Sequence, residues 1–598
     1  MSKASKEIQV LNDFEHILAR PTIYVGSVKS SEEQVPIINQ SGSVSSKSRT
    51  ISVGMYKLFD EVFSNCVDEA KRMKSQMKSI SVEIDPLKNS VSITDSGDGF
   101  LNGSKKNKKS GLSNVETAVS MLRAGSNFNN DSIEESLIGT NGMGVSLVNA
   151  LSLFFEIETS NSSETYKQSW NDFIPSKPVV TPNKGKTGTR VTFIPRTRIF
   201  DGIKWDYEIL KSILVLKKRV LETETKTQNV GINFIWDGKN EEISSALNPD
   251  YSFKSSIGEL LIWKKKEESS SFAFVNSAMC TGIHQKIVMD QINSELEDSL
   301  GHHFYDHLLI LNLSPGLVRF GDQNKTKFVS KREEVEGTIL RSMEGGILKF
   351  FKSDCFKQIK KLVDDRKRDS EIKKIRREKK NVKLKFSHKY FPPTASKADN
   401  LFIVEGLSAM GSILQKRDPK KDGVYALKGK IKNARSLGDL SSNREIIELM
   451  QILNLDPDDR NSDGQFRNVI ISTDRDPDGS HITSLLINLF HTWFPWMIEN
   501  KRVHILETPL ISVGDRSKKY YFSLEEFKRN SSREANKNVR YLKGLGSLSL
   551  EDWEFVMKDR KIITITTDKK SSSSLEMAFG KSSEARKKWL SKIGNANS

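Results

Sequence analysis

The sequence predicts a multidomain α/β protein, and three observations carry that expectation. Strand-like runs alternate with helical periodicities along most of the chain. The β-branched run NVIIS (468–472) ends in the acidic cluster TDRDPDG (473–479), and an apolar helical pattern follows it. A Gly-rich turn, GTNGMG (139–144), opens another helix. At 598 residues the chain is long enough for about three or four domains.

Taken in order, residues 1–204 mix helix and strand patterns. MYKLFDEVFSNCVDEAKRM (55–73) has apolar residues at helical spacing. SISVEIDPLKNSVSITDSGDGF (79–100) reads as two alternating strands joined by a turn. Residues 205–356 alternate strands and helices and read as a second domain. Residues 357–397 hold a strongly basic helical stretch, KKLVDDRKRDSEIKKIRREKKNVKLK, expected as an exposed linker helix and broken by FPPTAS. A third domain, with a C-terminal extension, is expected over 398–598. Within it, 530–538 and 569–574 are polar and read as loops.

Composition bounds the function. The net charge is +17, from 93 basic and 76 acidic residues, which favours a polyanionic partner, nucleic acid first. No apolar run approaches the roughly 18 residues a membrane span requires. The three cysteines, Cys66, Cys280 and Cys355, lie far apart without metal-ligand spacing, so a cytoplasmic setting is expected, with neither a disulfide framework nor a zinc site.

A nucleotide pocket is expected in the first domain. The chain has no G-x-x-x-x-G-K-[ST], which argues against a Walker-type site. Glu61, Asn65 and Asp68 fall on one helix face. Glu61 is placed to act as a general base on water, and Asn65 to offer an oxygen to magnesium, although an acidic helix face is ordinarily just solvated. Asp95 ends a strand and can accept from the exocyclic amine of a base, with Gly97 and Gly99 letting the backbone approach a flat ring, although an Asp-Gly turn is the plain alternative. Backbone N–H groups across Gly139, Thr140, Asn141, Gly142, Met143, Gly144, Val145 and Ser146, at a helix start, make a cradle for phosphates.

The three aspartates of the second cluster, Asp474, Asp476 and Asp478, call for a cation. An EF-hand calcium loop fits until its twelfth position, where Leu485 replaces the bidentate glutamate. The cluster instead sits where a strand ends and a helix begins, the place where open α/β sheets carry their sites. Magnesium, held by a few carboxylates, suits it better.

The series EVFSNCVDEA, TDSGDGF, GTNGMG and GTRVTF resembles the GHKL ATP-binding α/β sandwich of gyrase, Hsp90, histidine kinases and MutL. ARPTIYVGS (19–27), FVNSAMCTGIH (274–284) and RFGDQNKTKF (319–328) narrow the resemblance to type IIA DNA topoisomerases, with a transducer domain after the ATPase domain. It implies that Ser126, Asn127 and Thr189 join the ATP site. It also implies that Gln323, Asn324 and Lys325 stand for the family's Gln-Thr-Lys loop, with Lys325 reaching the γ-phosphate. GSNFNND (125–131) is more like the eukaryotic and phage enzymes, and the T4-type phage large subunit resembles the chain most.

IVEGLSA (403–409) with TDRDPDGSHI resembles the TOPRIM signature of a Rossmann-like domain, implying magnesium at Glu405, Asp474, Asp476 and Asp478. ALKGKIKNA (426–434) resembles a segment in which Lys430 and Asn433 contact DNA. RYLKGLG (540–546) and MAFGKSSEARKKWL (577–590) resemble segments near the end of gyrase B-type subunits. The resemblance implies an ATP- and magnesium-dependent topoisomerase subunit acting on double-stranded DNA. It would homodimerise through the ATPase domain within a heterotetramer, with a separate cleavage subunit supplying the tyrosine. Gyrase B proper, its topoisomerase IV counterpart, and a non-catalytic DNA-binding relative are the alternatives. His481 is expected to cap the following helix rather than touch DNA.

Overall fold

A computed structural model describes residues 11–73, 76–124, 142–183, 185–225, 230–265, 270–296, 304–384, 388–460, 462, 464–515, 517–530 and 538–596. The chain divides into two compact units, Met1–Val363 and Asp364–Ser598.

The first unit holds two principal sheets. The larger runs in the order Lys239–Glu242, Gly231–Trp236, Ser79–Asp85, Ser90–Asp95, Gly188–Pro195, Ser152–Ser160, Glu164–Asn171 and Ile174–Pro175, with Val179–Pro182 pairing beside Glu164–Asn171. The expected hairpin is present: Ser79–Asp85 and Ser90–Asp95 pair antiparallel, Ile80 opposite Asp95. Period-2 patterning sends Ile80, Val82, Ile84, Val91 and Ile93 inward. They bury against the helix Val53–Met73, whose Leu58, Phe59, Val62, Phe63 and Val67 share the same core. Burying that stripe leaves Glu61 half-buried and Asn65 exposed on the opposite side of the helix.

The expected domain boundary at 204 falls too early. Gly231–Trp236 pairs in parallel with Ser79–Asp85 and extends the first sheet. The helix Tyr207–Thr225 buries Ile209, Leu210, Leu214 and Leu221 in the first core, which also takes Ile243. A parallel partner more than a hundred residues away leaves no local sequence signal.

The second sheet follows the order Tyr251–Lys254, Gly258–Lys264, Tyr305–Leu311, Phe272–Val275 and Ala278–Met279. All seven residues of Tyr305–Leu311 are buried, as befits a central strand. The helices Ile283–Leu296 and Arg332–Lys352 supply Ile287, Ile292, Ile339 and Met343 to its core. The basic helix runs Asp354–Asn381, starting before the expected 357. It is not wholly exposed, because Ile359 and Val363 are buried in the core of the second sheet.

The second unit is built on a six-stranded sheet, among the described residues, ordered Tyr390–Phe391, Asp422–Leu427, Ala398–Glu405, Phe466–Ser472, Val503–Leu506 and Ile562–Thr564. Its four central strands are parallel. Such strands bury both faces. Along Ala398–Glu405, Leu401 and Ile403 enter a core with Leu486 and Phe490 of the helix Pro477–Trp493. Phe402 and Val404 enter another with Met410, Ile413 and Trp553, from the helices Gly406–Lys416 and Leu550–Lys558. The chain leaves Ala398–Glu405 towards one neighbour and returns to its other side as Phe466–Ser472, so the order reverses between these two strands. The polar stretch expected as a loop at 569–574 begins a helix, Ser571–Phe579.

Candidate functional site

In the first unit the helix Val53–Met73 presents Glu61 to an ion-pair cluster. Lys57, one turn earlier, lies 2.9 Å from Glu61 Oε1 and 2.9 Å from Asp60 Oδ2. Two carboxylates raise the affinity of the Lys57 ammonium for its proton against the opposing effect of burial. Gly144 abuts the same carboxylate, and a Cβ there would meet Glu61 Oε2 at 2.2 Å. The glycine is therefore what lets the turn 142–144 close over Glu61.

Asp95 lies at the end of its strand as expected. Its Oδ1 accepts from the N–H groups of Gly97 (2.8 Å) and Thr189 (3.3 Å). Burial pushes the Asp95 carboxyl up to about 6, with the neighbouring Glu69 charge adding and the two N–H bonds opposing. Cys66, which sequence reasoning passed over, is buried with Sγ 3.8 Å from Asp95 Oδ2. Gly99 holds φ +70°, and a Cβ there would meet the Ser160 carbonyl oxygen at 2.2 Å. Thr189 and Thr159 share a 3.0 Å hydroxyl contact, and Thr159 accepts from Phe100 N at 2.9 Å, so this corner is fixed on both sides.

In the helix Gly144–Ala150, Ser146 turns its hydroxyl onto the Met143 carbonyl oxygen at 2.9 Å, while Met143 and Val145 pack against the first core. Ser126, Asn127, Gly139, Thr140 and Asn141 lie outside the described residues.

The Gln323-Asn324-Lys325 loop reaches the same place from the second sheet's side of the unit. Asp322 closes it, accepting from Lys325 N through its carbonyl (3.2 Å) and from Thr326 N through its side chain (3.0 Å). Asn324 docks onto ARPTIYVGS: with its amide nitrogen towards Tyr24 O (2.9 Å), its oxygen accepts from Gly26 N (3.1 Å). Asparagine thus has its own partners where the family pattern carries threonine. Lys325 adopts the left-handed φ of +60°. Burial lowers the affinity of its ammonium for the proton, Lys57 adds to that, and Glu61, Asp68 and Asp60 oppose it. The cation therefore lies within electrostatic reach of Glu61. Gln323 is half-buried beside it.

In the second unit, Glu405 and Asp474 lie at the carboxyl ends of the two strands between which the sheet order reverses, with Val404 in register with Ser472. Asp474 N points at Glu405 Oε2 at 3.4 Å. Burial weakens the acidity of Glu405, and the charges of Asp474, Asp476 and Asp478 add to that effect, while the Asp474 N–H opposes it.

The other two aspartates are partly committed. Asp476 caps the helix Pro477–Trp493, its Oδ1 accepting from Gly479 N at 2.7 Å, so the cap is Asp476 and not the exposed His481. Asp478 lies 2.5 Å from Lys430 Nζ. Asn433, expected to touch DNA, spends both ends of its amide inside the protein, on Phe579 O (2.8 Å) and Asn488 Nδ2 (3.1 Å). Sequence reasoning gave no role to Gly544 and Leu545. Leu545 N donates to Asp474 Oδ1 at 2.8 Å, and a Cβ on Gly544 would meet Asp474 Oδ2 at 2.8 Å, so this segment seats the aspartate.

Among the described residues no three His, Cys, Asp or Glu side chains are gathered to hold a metal ion. Glu405 and Asp474 remain as two carboxyl groups at neighbouring strand ends, a donor set that suits magnesium, which commonly takes one or two carboxylates and completes its shell with water and phosphate. Among the same residues no helix is long and apolar enough to cross a membrane.

Residues 400–508 match the Toprim domain family, and 506–598 match the C-terminal associated domain of TOPRIM. DNA topoisomerase 2 of Meyerozyma guilliermondii is 29% identical over 98% of this chain and 47% of its own length. The B subunit of DNA topoisomerase 4 from Mycoplasma pneumoniae is 26% identical over 98% of this chain and 97% of its own. The chain thus spans about half the length of the topoisomerase 2 relatives it matches. The ATPase region of Saccharomyces cerevisiae topoisomerase II aligns with a TM-score of 0.51 at 24% identity, covering 60% of this chain and all of that one. The ATPase and transducer domains of the Balamuthia mandrillaris enzyme align at 0.50 and 19% over 61% of this chain and all of that one. At those identities the structural likeness concerns the fold. Along nearly its whole length the chain is similar to type II topoisomerases, with a Toprim domain at 400–508 and, in its first part, the fold of their ATPase regions.

Proposed function

We propose that this chain is the ATP-hydrolysing, Toprim-bearing subunit of a type IIA DNA topoisomerase, using ATP to drive passage of one duplex through another. The observation that carries the reading is Glu61 under a glycine-lined turn, with the cation of a distant loop, Lys325, within its electrostatic reach. In this reading Asp95 accepts from the exocyclic amine of adenine. Gly97 and Gly99 admit the ring, and the backbone around Gly142–Ser146 faces the phosphates. Lys325 engages the γ-phosphate, Asn65 offers an oxygen to the nucleotide's magnesium, and Glu61 takes the proton from the attacking water.

In the second unit Glu405 and Asp474, with Asp476 and Asp478 nearby, would hold magnesium. The ion would supply Lewis acidity at the scissile phosphate. Lys430, 44% exposed, is the DNA-contacting candidate that stays at the surface. Strand cleavage by transesterification needs a tyrosine, and the reading assigns it to a separate subunit. Two copies of each chain, dimerised through the ATPase unit in a cytoplasmic heterotetramer, would cut both strands. The two-chain arrangement is supported by the similarity to a relative that is itself named as a subunit, the B subunit of Mycoplasma pneumoniae DNA topoisomerase 4. The finer T4-type phage assignment rests on the resemblance of the sequence alone.

Glu61→Gln is expected to lower ATP turnover by about 10²–10⁴ while leaving nucleotide affinity within about threefold. Binding and hydrolysis are measured separately, and turnover within a factor of two of the parent removes Glu61 from the role of base.

The pH dependence follows from Asp95. Its carboxyl is raised to about 6 in the folded chain, so it takes up a proton as pH falls through that value. The protonated form no longer offers the adenine amine a charged acceptor. Affinity for ATP at pH 5 should therefore be about tenfold weaker than at pH 7. Asp95→Asn should remove the slope, which isothermal titration across that range reads out. The same group favours folding at low pH, an advantage lost as pH rises through about 6.

Glu405→Ala or Asp474→Ala should abolish DNA cleavage by the complex reconstituted with its tyrosine-bearing partner, and leave ATP hydrolysis without DNA within about twofold, a margin for an indirect effect of roughly 0.4 kcal/mol. Supercoiled plasmid, magnesium and protease digestion provide the assay. Linear DNA with protein on its 5′ ends, formed by this chain alone, contradicts the two-chain reading.

A further inference from the structure

Behind Glu61 runs a second set of charges that the hydrolysis scheme does not use. Asp60, next to Glu61 in sequence, accepts from Lys57 through Oδ2 (2.9 Å) and from Lys217 through Oδ1 (2.5 Å). Lys217 is buried on the helix Tyr207–Thr225, and its ammonium also donates to the Ser277 carbonyl oxygen at 3.2 Å. Two turns further along that helix, on the same face, Glu224 accepts from Ser277 N at 2.6 Å and from the Ser277 hydroxyl. Glu224 also pairs with Lys71, on the helix that carries Glu61, at 2.7 Å, with both side chains almost fully buried.

Ser277 and Asn276 form the turn of the hairpin Phe272–Val275/Ala278–Met279 in the second sheet, both with left-handed φ, +65° and +48°. Asn276 binds Leu313 through both amide ends, donating to its carbonyl (2.8 Å) and accepting from its N–H (2.7 Å). Leu313 starts the segment that leads to Lys325.

We propose that Lys217 is a positioning residue for ATP hydrolysis: through Asp60 and Lys57 it sets Glu61, and through the Asn276–Ser277 turn it ties that setting to the loop carrying Lys325. The proposal rests on Glu61 being the base. The physical case is that Lys57 divides its protons between Asp60 and Glu61. With Lys217 on its other oxygen, Asp60 holds Lys57 in a fixed position, and Glu61 is oriented by a lysine that cannot swing. Without Lys217, Asp60 is left with Lys57 alone, and Lys57 is drawn towards it and away from Glu61. A second sheet pinned to the same lysine then moves with the catalytic helix, so the two reactive groups, Glu61 and Lys325, approach the nucleotide in register. Small misplacements of this kind are costly to turnover and nearly neutral to ground-state binding.

The test uses the full chain. Lys217→Met keeps the stem and removes the charge. It should lower kcat for ATP at least about tenfold with KM changed by less than about threefold, and Lys217→Arg should recover most of the loss. Melting is followed in parallel. Should Lys217→Met unfold the protein, Asp60→Asn/Lys217→Met removes both charges together and restores folding, since no unpaired buried charge remains. That double variant should stay at least about fivefold slow in kcat at parental melting temperature. Recovery of kcat together with stability overturns the proposal and leaves a merely structural pair. So does a Lys217→Met kcat within twofold of the parent. Glu61→Gln is run beside it: if that variant hydrolyses ATP normally, the reading of the base fails, whereas an inactive Glu61→Gln with a normal Lys217→Met fails only the positioning role.

Discussion

The candidate site of the first unit depends on one electrostatic arrangement: a half-buried carboxylate set beside lysines. Glu61 lies on the side of its helix away from the apolar stripe, with Lys57 one turn back and Lys325, on the loop before Lys327–Phe328, within electrostatic reach. The rest of the unit arranges itself around that requirement. The turn at Gly144 can close only because no Cβ intervenes. The Lys325 loop is held at its distance by Asn324 on the backbone of Tyr24 and Gly26. A cation delivered by a distant loop makes the setting of Glu61 depend on how that loop is held.

The second unit solves the opposite problem. Two acidic groups, Glu405 and Asp474, lie at the ends of adjacent parallel strands, two more open the following helix, and the fold gives them different work. Asp476 caps a helix, Asp478 faces Lys430, and Asp474 is seated by the Leu545 N–H. Glu405 is left in an environment whose burial and neighbouring aspartate charges weaken its acidity.

What the sequence made legible is what local periodicity controls. Helical spacing placed Glu61 and Asn65 on one face, alternation found the hairpin that ends at Asp95, a strand followed by a helix located Asp474, and the resemblance to the TOPRIM signature added Glu405. Long-range pairing was not legible. The 157-residue separation of Asp60 and Lys217 leaves no pattern, and neither does the 71-residue separation of Asp474 and Leu545. The same reason moved the first boundary, because the strand Gly231–Trp236 returns to pair in parallel with Ser79–Asp85. Three aspartates in five positions read as one cluster, but a helix start between them turns their side chains to different partners. The resemblance of ALKGKIKNA implies a DNA contact for Asn433, whereas its amide bridges Phe579 and Asn488 on two helices.

The central claim is that Lys325 reports on the terminal phosphate at Glu61. Equilibrium binding of a non-hydrolysable ATP analogue and of ADP, to the parent and to Lys325→Met, tests it most directly. The account predicts that the parent prefers the triphosphate by about tenfold or more, and that Lys325→Met loses this preference while its affinity for ADP stays within about threefold. A Lys325→Met chain that keeps the parental preference for the triphosphate contradicts it.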